Sequence, residues 1–158
     1  MATALLSILH ALQASFSAYT LYLSSISIRN LQKYEETSKK AAKYSSIAEQ
    51  QLHKTRTTQA SGALSALFSF LCSTTLALYP IFSSRVGIIG AVLVAGANVA
   101  ALEMARQHVG AFWKGKAKVP LPGVGEYNDA ISKTQEVKLN MVYLVASWTA
   151  VGVVSLVL

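Results

Sequence analysis

Charged positions alternate with long charge-free blocks along this chain. Residues 1–28, 60–84, 86–102 and 139–158 contain no Asp, Glu, Lys or Arg, and nearly every ionisable group falls in the intervals between them. As a helix, about 20 mainly apolar residues cross a bilayer core of roughly 30 Å. The four blocks therefore predict four transmembrane helices, over about 5–28, 60–82, 86–105 and 139–158. The fold class that follows is all-α: a membrane four-helix bundle in a single domain, 1–158. A helical hairpin over 29–59 extends from the membrane between the first two spans, and a basic loop over 106–138 joins the last two.

Within the first block the apolar run keeps a polar stripe. His10, Gln13, Ser17, Thr20 and Ser24 are separated by three, four, three and four residues, the period of one helix face. Lipid tails give helices no hydrophobic reason to associate, so small and hydrogen-bonding side chains mark the contact face in a bilayer. Past Ser27 the same face turns apolar with Leu31, Tyr34 and Ala41, as a water-exposed helix requires. One long helix is thus predicted to face protein throughout, first the bundle and then a returning arm carrying Ile47, Ala48 and Leu52. No Gly or Pro precedes Gly62, and the best turn lies at Ser46 and Glu49, which have capping-box spacing.

The second span carries Ser61, Ser65, Ser69 and Ser73 at every fourth position. In the third, nine of the twenty residues from 86 to 105 are Gly or Ala, which marks it as the centre of the bundle. The short connection at 79–84 predicts that spans two and three form a tight antiparallel pair. Beyond the third span, Phe112 and Trp113 read as interfacial aromatics. The Pro and Gly of "KVPLPGVG" make a loop, and Asn128 or Asp129 caps a helix running into the last span.

Composition agrees with the pattern. Hydrophobic residues make up 53% of the 158 and charged ones only 13%, against roughly a quarter in soluble domains. Of the 14 Lys and Arg, seven lie between spans one and two and six between spans three and four, while Arg85 stands apart. The positive-inside rule puts both long loops in the cytosol or matrix and both termini on the non-cytosolic side. An integral, multi-pass protein of the endoplasmic reticulum or another internal membrane is expected. The first block lacks the basic start of a secretory signal, so it reads as a retained span. The net charge of +7 reports topology and attraction to anionic lipid, with nothing to support nucleic-acid binding.

Candidate chemistry is sparse. The single cysteine, Cys72, excludes a disulfide framework within the chain and a CxxC redox centre. His10 lies on the opposite side of the predicted membrane from His53 and His108, so the three share no metal, and no cofactor motif is present. Asn98, Glu103, Arg106 and Asn140 form the one candidate polar site, at the cytosolic ends of the helices. Glu103 there has a local partner in Arg106 at i+3. Tyr143 and Trp148 read as packing or lipid-facing groups. No motif assigns the chain to a family. The expected function is a non-catalytic subunit, scaffold or assembly factor of a larger membrane complex, with protein partners or a second copy of itself. The alternative is a membrane-embedded enzyme or carrier for a lipid-like substrate, using that polar site.

Overall fold

The computed structural model describes residues 2–42, 46–79, 85–116, 118 and 124–157. Four helices account for almost all of them: α1 (Ala2–Ala42), α2 (Ser46–Leu78), α3 (Arg85–Trp113) and α4 (Gly125–Val157). There is no strand among the described residues. Each helix is long and apolar enough to cross a membrane.

The helices pack in cyclic order, α1 on α2, α2 on α3, α3 on α4 and α4 back on α1, with α2 and α4 touching across the diagonal. Side-chain pairs fix an antiparallel register around the ring. Glu35 meets Arg56 and Ser17 meets Ser69 between α1 and α2; Ser61 meets His108 between α2 and α3. Ser27 meets Thr134 between α1 and α4. A Cβ placed on Gly152 of α4 would lie 3.3 Å from that of Ala95, and one on Gly110 of α3 would lie 3.7 Å from Lys138.

Two features differ from the sequence-based expectation. α3 is a corner of the square, diagonal to α1, and the two backbones do not approach each other closely among the described residues. Its small residues divide: Ala91, Ala95 and Ala105 are buried, whereas Gly96, Ala97 and Ala100 are exposed. Small residues allow close approach on whichever face they lie, so a high count of them does not centre a helix. The α2–α3 interface is also the least extensive of the four between neighbours, despite the short connection. A short loop fixes adjacency at one end but not contact along the length.

The segment 106–138 is helical at both ends rather than a loop throughout. α3 continues to Trp113 and stops where Gly115 adopts φ 78°, a left-handed cap that favours glycine. α4 starts at Gly125, earlier than Asn128 or Asp129, with the Asn128 amide donating to the Val124 carbonyl at 3.0 Å. Asp129 is occupied elsewhere, accepting from the Asn30 amide of α1. Trp113 is buried rather than interfacial, in a cluster with Leu31, Val109, Ala130 and Ile131. Leu31 thereby joins α3 and α4 side chains, and Tyr34 stacks on Tyr127 of α4 at 4.9 Å. The turn at 43–45 and the side chains of Ser46, Ile47, Ala48 and Ala41 of the seam lie outside what the structure describes.

The distribution of polarity is inverted along the middle of the bundle. Leu5, Ile8, Leu12, Leu64, Leu71 and Leu93 point outward, each at least half exposed, while Ser, Thr, His, Gln and Asn side chains fill much of the inside. Apolar packing is supplied by Leu23, Leu76, Leu102, Met141, Leu144 and Trp148.

Candidate functional site

The stripe on α1 is buried over its full length: His10, Gln13, Ser17, Thr20, Ser24 and Ser27 are each at most 3% exposed. Its first half meets the opposite helices in one polar cluster. His10 Nδ1 and Gln13 Oε1 are 2.8 Å apart, one turn along the same helix. Ser17 Oγ and Ser69 Oγ are 2.9 Å apart, and the Trp148 indole N–H donates to Ser69 Oγ at 2.8 Å. Ser69 therefore joins α1, α2 and α4 through one hydroxyl. The His10 ring tilts against Trp148 with centroids 5.5 Å apart.

Thr20 and Ser24 act differently. Each donates to the carbonyl one turn back, Phe16 and Thr20 respectively, at 2.9 Å. A hydroxyl satisfied this way is not left unpaired in an apolar interior, at the cost of a slight destabilisation and bend of the helix. Ser27 begins a second polar layer. Gln59 Nε2 donates to Thr134 Oγ1 at 2.8 Å, Ser27 Oγ lies 2.9 Å from the same atom, and Thr134 donates to the Ala130 carbonyl at 2.7 Å. One turn further out, Arg56 clasps the buried Glu35 carboxylate with contacts of 2.7 to 3.2 Å. Every one of these contacts ties helix to helix or closes a helical turn.

Asn98, Glu103, Arg106 and Asn140 do not converge. The pairs Gly110–Lys138 and Ala95–Gly152 set the register of α3 on α4. In that register Asn140 lies opposite about residue 108, which puts it about 15 Å along the axis from Asn98. Asn140 is buried on α4, one turn before Leu144, which packs in the core with Leu102 and Ala105 of α3. Asn98 faces the bundle interior and donates to the Val94 carbonyl at 2.9 Å, while its Oδ1 accepts no hydrogen bond. Glu103 and Arg106 are half-buried on the flank. Arg106 holds both carboxylate oxygens of Glu103, at 2.6 and 2.7 Å, and Gln107 adds a third bond at 2.8 Å. A carboxylate with these local partners is a closed ion pair.

Comparison with known protein families, characterised proteins and solved structures finds no match for this chain. The molecule's own geometry is thus the guide to function.

Two groups of residues escaped sequence reasoning. Trp148, in the middle of the last span, reads from sequence as a packing or lipid-facing group; it is fully buried and also donates to the polar cluster. The other group lies between α2 and α3 at the basic end. Lys116 lies over the Phe112 ring at 3.6 Å and reaches Gln51 Oε1 at 3.3 Å, and Lys54 flanks the same cavity. Burial, with the adjacent Lys54 charge, holds the Lys116 ammonium below its ordinary lysine value. Among the described residues no group of His, Cys, Asp and Glu could hold a metal ion.

Proposed function

We propose that this protein is an integral membrane, non-catalytic subunit, scaffold or assembly factor, built to hold other helices in a bilayer. The outer face of α3 carries the reading. Gly96, Ala97 and Ala100 are exposed there between Leu93 and Met104, and a Cβ added to Gly96 would touch nothing within 4 Å. Against lipid such a groove gains nothing. Against a partner helix it lets backbones approach closely, as small residues spaced by four do in membranes. The inverted polarity of the bundle supports the membrane setting: apolar side chains meet the lipid, and polar ones bind the helices together.

In this setting the ends of α1 and α2 beyond about residue 29 and before about residue 60 form a helical hairpin outside the bilayer, together with the start of α4. The clustering of Lys and Arg supports an orientation with this end in the cytosol or matrix and both termini opposite. An internal membrane such as the endoplasmic reticulum suits that arrangement. An enzyme or carrier for a lipid-like substrate has weaker support, because Asn98 faces the interior while Glu103 and Arg106 pair on the flank, and Glu103 is fully engaged.

The test is purification in mild detergent of the wild type and of Gly96→Leu, with identification of stoichiometric partners. Retention of a partner, or of a second copy, by the wild type and its loss from a folded Gly96→Leu is the expected result. Equal recovery from both removes the α3 face as the docking surface. A glycosylation tag modified after Leu158 and unmodified near Glu36 checks the orientation.

A further inference from the structure

We infer that the cleft between α2 and α3 binds one anionic phospholipid, its phosphate held by Lys54 and Lys116 and an acyl chain laid along the groove below them. The inference rests on the membrane setting proposed above. It starts from two adjoining cavities. The outer one, about 410 Å³, is lined by Gln51, Lys54, Thr58, His108, Phe112 and Lys116. The inner one, about 560 Å³, is lined mainly by Leu64, Phe68, Ala101, Met104 and Ala105. Ser61 and His108, with Oγ and Nδ1 3.1 Å apart, stand at the junction.

Charge identifies the head. No carboxylate lines the outer cavity, and neither lysine has one as an ion-pair partner among the described residues. The two ammonium groups line one cavity, where the Lys54 charge disfavours that of Lys116, and an anion between them would relieve the conflict. The Gln51 amide and the Thr58 side supply neutral polar neighbours on the same wall.

Shape identifies the tail. The inner cavity exists because α2 and α3 make the least extensive of the neighbouring interfaces, with Ala101 and Ala105 too short to fill the space opposite Leu64 and Phe68. A free phosphate would use only the outer cavity. A phospholipid uses both, in the order the bilayer presents them. Lys54 lies six residues before the expected start of the second span, about 9 Å along the helix, which is headgroup depth. The apolar groove begins where the hydrocarbon does.

The experiment is native mass spectrometry of the full-length protein in mild detergent, titrated with phosphatidylserine, phosphatidylcholine and inorganic phosphate. A cytosolic-side lysine contributes roughly a five-fold preference for anionic lipid, so the wild type should favour phosphatidylserine about 25-fold. Lys54→Gln with Lys116→Gln should bring the two lipids level while leaving the fold, read by circular dichroism, unchanged. Ala101→Leu, which fills the groove, should weaken both lipids, and Met104→Ala, which removes a wall, should do so if Ala101→Leu does not fold. Equal binding of both lipids to the wild type overturns the proposal. So does phosphate binding as tightly as phosphatidylserine, since the tail then contributes nothing. Extraction by alkaline carbonate separates the two levels: release from membranes overturns the membrane setting itself, whereas retention without lipid preference overturns only the lipid site.

Discussion

Replacing Ser69 by Ala tests the polar cluster at the point where three helices meet. The change removes one hydroxyl, but two interactions: the 2.9 Å contact with Ser17 and the acceptor of the Trp148 N–H. Interhelical hydrogen bonds within a bilayer are worth about 0.6 kcal/mol on average and about 1.7 at most. The Ser17 contact is assigned the average. The indole is a different case, because Trp148 is fully buried and Ser69 Oγ is the acceptor of its N–H. Stranding a buried donor costs about 1 to 3 kcal/mol. Ser69→Ala should therefore destabilise by about 2 kcal/mol and Ser17→Ala by only about 0.6. The double variant should cost little more than Ser69→Ala alone, since Ser17 has already lost its partner. Reversible unfolding in mixed micelles, followed by tryptophan fluorescence, measures all three. If Ser17→Ala costs as much as Ser69→Ala, the indole bond carries no weight and the assignment of Ser69 as the common node is refuted.

Two interior glycines should respond oppositely to Ala. A Cβ at Gly62 meets the flexible Met141 Cε at 3.3 Å, so Gly62→Ala should gain up to about 1 kcal/mol of helix propensity; one at Gly152 meets the Ala95 Cβ at the same distance, and Gly152→Ala should gain nothing or lose stability in the same unfolding assay. Glu103→Gln should cost less than about 1 kcal/mol, because the pair with Arg106 is a third exposed, and should leave partner recovery intact; loss of the partner from a folded variant would revive the polar site as functional. Lys116 has its pKa lowered in the fold by burial and by Lys54, with His108 on the same cavity, so its charged form opposes folding. That cost is complete below the folded pKa and fades as pH rises toward the ordinary 10.5, so Lys116→Met should stabilise the protein at neutral pH and progressively less at alkaline pH, as the pH dependence of the unfolding midpoint will report.

What the sequence made legible was decided by periodicity. The spacing of His10 to Ser24 marks one face of a helix whatever surrounds it, and these side chains are buried. Periodicity does not say which neighbour a face meets. The spacing of Leu31 and Tyr34 predicts a seam on the returning arm, but its contacts include Tyr127, Ala130 and Ile131 of α4, because helix register depends on packing among all four. Predicted depth groups Asn98, Glu103, Arg106 and Asn140, but depth ignores rotation about each helix axis. Asn98 faces inward and Glu103, five residues on, is turned well over 100° away. Lys54 and Lys116 are 62 residues apart in sequence and share a cavity only once α2 and α3 are docked.

α1 runs from Ala2 to Ala42 with no Gly or Pro, and at 1.5 Å per residue it is about 60 Å long, roughly twice the hydrocarbon thickness. Such a rod has no hinge between its ends. A tilt of about 10° at one end displaces the other by about 10 Å. In the membrane setting proposed above, a partner leaning on the Glu35 end would shift the His10 end with it, so that a load on one side of the bilayer would reach the polar cluster on the other.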